Sequence, residues 1–85
     1  LYTMCEELAL LAKSTMETRQ AGVTLMQNLN LLKDIKSKNE VDMYRSIMMD
    51  AYNQPKFTSE KYKREAINEF QNKTMLACLE EIKKH

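Results

Sequence analysis

Eighty-five residues with 44% hydrophobic and 29% charged side chains and a formal net charge of +1 make one small folded domain. That balance excludes a disordered segment, which would hold fewer large apolar residues, and a dedicated nucleic-acid binder, which would be clearly basic. A single glycine and a single proline exclude sandwiches and barrels, which turn every ten residues or so, and leave an all-α fold.

In chain order, the first apolar stripe is Leu1, Met4, Leu8 and Leu11, flanked by Cys5 and Ala12. It resumes at Leu25, Leu29 and Leu32, with Met26 beside it. Thr15, Thr18 and Gly22 occupy the positions between and make a poor seam. Residues 1–33 are therefore expected as two helices, or one bent helix, broken near Gln20-Ala21-Gly22, since Gly costs about 1 kcal/mol relative to Ala inside a helix. Lys36-Ser37-Lys38-Asn39 reads as a loop, with Asn39 as N-cap of the next helix and Asp42 three residues on to answer it. That helix is expected to run to about Asn53 with Val41, Tyr44, Ile47, Met48 and Ala51 inward, and Pro55 ends it. Thr58 is the expected cap of the last helix, with Ser59 and Glu60 in its first turn. Ile67, Phe70, Thr74, Cys78 and Ile82 fall on one face, with Met75 and Leu79 at its edge. Gln71-Asn72-Lys73-Thr74 is weak in helix propensity and could break that helix too. The whole reads as a compact all-α stack or bundle of about four to six short helices, residues 1–85 forming one interaction domain. A chain that begins at Leu1 is the expectation for a segment of a longer protein.

Cys5 and Cys78 are only two cysteines, 73 residues apart, whereas a disulfide-stapled secreted domain would carry four or more. They read as buried reduced thiols, which points to the cytosol or nucleus. No apolar run approaches the ~18 residues that span a bilayer, so no membrane partner is expected.

The inventory for catalysis is poor. His85 is the single histidine, sits at the end of the chain and could be a tag remnant; no Cys–His, Ser–His or metal-spaced cluster exists. Glu6-Glu7 and Glu80-Glu81 are neighbours that point apart on a helix, and one glycine makes no phosphate-cradling loop. No enzyme activity, metal or cofactor is expected. Lys61, Lys63 and Arg64 are interleaved with Glu60, Glu65 and Glu69, a solvated face and not a phosphate site.

Seven methionines are the more telling feature, because Met fills irregular cores and is also over-used at adaptable binding surfaces. Residues 41–53 are apolar nearly all round, so Met43, Met49 and Tyr52 could form an exposed patch, and with Tyr44 they are the candidate partner-binding residues. On that view, replacing Tyr52 and Met49 by Ala weakens partner binding and leaves helicity intact.

The order of several elements carries a resemblance. Leu10-Leu11, Ala21, Leu25-Met26, Leu29 and Leu32 are followed by Met43-Tyr44-Arg45-Ser46-Ile47, Ala51-Tyr52 and Ile67-Asn68-Glu69-Phe70. From about Leu8 to Phe70, some three-quarters of the chain, this resembles the helical domain near the C-terminus of the large Ku subunit. Ile67 stands where that family's signature has its first Phe, Gln71 where it has Leu, and Pro55 and the lack of Trp also depart from it. The resemblance implies a superhelical stack of about five or six short helices in the nucleus. It also implies an arm that recruits partners in double-strand-break repair by end joining, including the DNA-dependent protein kinase, while domains not in this chain pair with the other Ku subunit and hold DNA. The family's kinase-contacting peptide lies beyond the globular domain, and this sequence carries no acidic-hydrophobic tail. The expected function is thus a non-catalytic protein-interaction domain that does not itself bind nucleic acid. The alternative is a helical hairpin docked on a coiled coil in a chromosome-associated complex.

Overall fold

The computed structural model of the chain describes residues 2–84. Four helices follow one another: α1 (Tyr2–Gln20), α2 (Leu25–Asn30), α3 (Lys38–Tyr52) and α4 (Glu60–Lys84), and there is no strand among the described residues. Leu1 of the first stripe and His85 lie outside the described residues. The all-α bundle is as expected, at the low end of the helix count, but its helices are unequal: α1 has 19 residues and α4 has 25.

α1 ends where the sequence places the break. Gly22 takes φ +93°, the left-handed conformation that L side chains avoid. The Val23 amide then donates to Thr18 O at 2.9 Å and the Gly22 amide to Arg19 O at 3.2 Å, the paired closure of a Schellman cap. Lys63 adds a cation at the same helix end, its Nζ donating to Gln20 O at 2.6 Å. α2 opens with a capping box that the sequence reading did not single out. Thr24 Oγ1 accepts from the Gln27 amide at 3.1 Å, and Gln27 Oε1 accepts from the Thr24 amide at 2.9 Å. α1 and α2 therefore do not continue one seam.

Two caps fall beside their expected places. Ser37, not Asn39, caps α3 by accepting from the Glu40 amide at 3.3 Å, so Asn39 lies inside the first turn. Ser59, not Thr58, caps α4, its Oγ accepting from the Tyr62 amide at 3.1 Å. In each case the hydroxyl that reaches the third amide of the helix wins. α4 also passes unbroken through Gln71–Thr74. Thr74 returns its hydroxyl to Phe70 O at 3.0 Å, and packing along α1 outweighs a few tenths of a kcal/mol of propensity per residue.

The core gathers Ala12, Met16, Ala51 and Phe70, with Ile47, Tyr52 and Ile67 against it. The small residues on α1 and α3 let those helices approach closely, and Met16 and Phe70 fill the space that remains. The methionines divide: Met16 and Met48 are buried, whereas Met4, Met26, Met43 and Met49 are exposed.

The cysteines require a correction. Cys5 and Cys78 are not reduced thiols but a disulfide, with Cα atoms 5.5 Å apart. α1 and α4 run antiparallel, so the start of one meets the end of the other, and a separation of 73 residues in sequence closes to bonding distance. Counting cysteines could not reveal this.

Candidate binding groove

α3 and α4 each pack along α1; their backbones stay apart, and their side chains share the core only around Ala51 and Phe70. α3 runs in the direction of α1, because Arg19 near the end of α1 donates from Nε and Nη2 to Gln54 O, just past the end of α3, at 3.3 and 3.1 Å. The space between α3 and α4 is consequently an open groove of about 630 Å³ with α1 as its floor.

Period 3.6 decides what lines it. Met4 and Leu8 come from α1, and Met43, Ser46, Ile47 and Asp50 from one face of α3. The α4 wall runs from Phe70 through Lys73, Thr74, Ala77 and Cys78 to Glu81 and Ile82. Cys78 carries the disulfide into that wall, so the cross-link holds the α1–α4 spacing at the end of the groove formed by Met4 and Ile82. The lining is mostly apolar, with the hydroxyls of Ser46 and Thr74 in it and charges at its lips. Glu81 is paired with Lys84 at 3.7 Å, whereas Asp50 on α3 and Lys73 on α4 form no ion pair among the described residues. A smaller cavity of about 290 Å³, bounded by Met16, Pro55, Phe57 and Tyr62, adjoins the groove and shares Phe70 and Lys73 with it.

The four candidate residues do not form one surface. Met43 lines the groove. Tyr44 is half-buried outside it, and Met49 is 50% exposed on another side of α3, since six residues on a helix leave about 120° between side chains. Tyr52 lies in an internal network. Its hydroxyl donates to Val23 O and accepts from Asn28 Nδ2 at 2.7 Å, and the Arg19 guanidinium sits 5.2 Å from the centre of its ring. Asn28, buried, also donates to Thr18 Oγ1 at 2.9 Å and so ties α1, α2 and α3 together. Of the basic trio, Lys63 is engaged on the end of α1 while Lys61 and Arg64 are exposed.

The sequence reading missed the α4 wall as a site. Its signal was the Phe70, Thr74, Cys78, Ile82 stripe, which reads as core because periodicity marks a face for burial without saying what covers it.

Among the described residues no group of three or more His, Cys, Asp or Glu is placed to hold a metal ion, and no helix is long and apolar enough to cross a membrane. No protein-family model, curated protein or solved structure matches the chain.

Proposed function

We propose that the chain is a non-catalytic protein-interaction domain that works through the groove between α3 and α4. The observation that carries this reading is that both helices pack on α1 while their backbones stay apart, leaving an apolar strip open beyond the shared core. A bundle with such a gap offers the ridges and grooves that another helix packs against. The groove thus takes the place of the Met43, Tyr44, Met49 and Tyr52 face as the binding surface, keeping only Met43 from it.

The test is a selection of helical peptides displayed against the oxidised protein, followed by binding to two variants. Ala77→Glu places a charge in the groove at an exposed helical position, so the fold is retained. Leu10→Asp alters an apolar side chain, 60% exposed, that lies outside the groove. Selected peptides are expected to lose Ala77→Glu and keep Leu10→Asp; peptides that bind both variants equally would place the surface elsewhere.

The disulfide supports an oxidising compartment for this domain, since cytosolic and nuclear proteins are kept reduced. The second reading, favoured by the ordered elements from Leu8 to Phe70, is a Ku-like recruiting arm in the nucleus with a repair factor or the DNA-dependent protein kinase as partner. Alkylation of the protein as drawn from its native cells separates the two. Blocked cysteines favour the oxidising compartment, and two free thiols favour the nuclear arm.

A further inference from the structure

We infer that the occupant of the groove is a partner protein's amphipathic helix of about three turns, with a basic residue on its flank toward α3 and an acidic residue on its flank toward α4. The inference rests on the groove being the binding surface and adds the chemistry of what binds there. Length follows from the α4 wall. Phe70 to Ile82 is twelve steps of 1.5 Å, roughly 18 Å, which matches eleven or twelve residues of helix. An apolar face at positions i, i+4, i+7 and i+11 would cover Ile47, Met43 and Phe70 along that length.

Charge follows from the lips. Asp50 stands on the α3 side and Lys73 on the α4 side, both exposed and neither in an ion pair among the described residues. Lys73 makes the α4 lip basic opposite Asp50, with Glu81 about two turns further along that wall and paired with Lys84. These lips do not suit a simple anion, which Asp50 would repel, nor a simple cation, which Lys73 would repel. They suit a helix that bears both signs on opposite flanks, as e and g positions do in coiled coils. Opposite lips also select direction, because a helix turned end for end presents its flanks to the wrong walls.

Two synthetic helical peptides test this, identical in their apolar face, one carrying Lys and Glu on its flanks and the other Gln on both. The charged peptide is expected to bind the oxidised protein about threefold to tenfold more tightly at low salt, the range for two exposed pairs. Asp50→Asn combined with Lys73→Gln is expected to bring the two peptides to equal affinity, read as the ratio between them on the same variant. Equal binding of both peptides to the unaltered protein would overturn the charge inference and leave the groove reading standing. If neither peptide binds, or Ala77→Glu binds both as well as the unaltered protein, both readings fall. Binding of dodecanoate in place of either peptide, lost in Lys73→Gln, would show a small-amphiphile site and overturn both as well.

Discussion

Gln20, in the last turn of α1, donates from Nε2 to the carbonyl of Pro55 at 2.8 Å. Its Oε1 accepts from the Phe57 amide, also at 2.8 Å, so one buried side chain clamps both sides of the α3–α4 connection. Pro55 has no amide to offer, and the loop around it depends on this partner from another helix. Gln20→Ala is expected to lower stability by about 1–2 kcal/mol, because it removes two hydrogen bonds and the packing of a buried side chain, while the exposed Pro55 carbonyl and the half-buried Phe57 amide are left partly to water. Urea unfolding checks this, and a loss below about 0.5 kcal/mol, the range of a surface substitution, would show that water replaces the clamp.

The disulfide closes a loop spanning 73 residues, nearly the whole chain. On the chain-entropy account such a link is worth about 4 kcal/mol, a large share of the stability of so small a domain. Reduction, or Cys5→Ser with Cys78→Ser, is expected to lower the melting temperature by tens of degrees or to leave the domain unfolded at 37 °C. A thermal scan with and without a dithiol reductant decides, and a shift of only a few degrees would mean that α1 and α4 hold together by packing alone.

Tyr52 and Met49 separate a structural role from a surface one. Tyr52→Phe removes a hydroxyl that both donates to Val23 O and accepts from Asn28, at an expected cost of about 1–3 kcal/mol. Met49→Ala, at an exposed position, is expected to stay within about 0.5 kcal/mol. Denaturant midpoints of the two single variants give the comparison. If Tyr52→Phe proves neutral, the hydroxyl is no part of the scaffold, and its place as a contact residue regains weight.

Gly22→Ala tests the cap of α1. The nearest atom to an added Cβ is Lys56 Nζ at 3.4 Å, ordinary contact at the end of a flexible side chain, so space is not the obstacle. The backbone at φ +93° is, and roughly 1–2 kcal/mol of destabilisation is expected. A melting temperature equal to that of the unaltered protein would mean that the turn relaxes to a negative φ.

Much of the fold was legible because it is governed by residues close in sequence. Gly22 stopped α1, Pro55 kept α3 from running on, and the apolar spacing of Ile47, Met48 and Ala51 marked the inward face of α3. Caps were legible only to within one or two residues, since Ser37 and Asn39, or Thr58 and Ser59, differ solely in which hydroxyl or amide reaches the right N–H.

By itself the sequence determined an all-α chain, the places of its main breaks near Gly22 and Pro55, and the apolar stripes that its helices carry. Only the tertiary structure decided that Cys5 meets Cys78, that Tyr52 turns inward to Val23 and Asn28, and that α3 and α4 stand apart over α1. The physical reason is range. Capping, propensity and periodicity act over a few residues, whereas a disulfide partner, a buried hydrogen-bond acceptor and the gap between two helices depend on how distant segments cross. The groove is a property of that crossing. Its residues were visible as stripes, and the one stripe left partly uncovered could be recognised only once the others had found their partners.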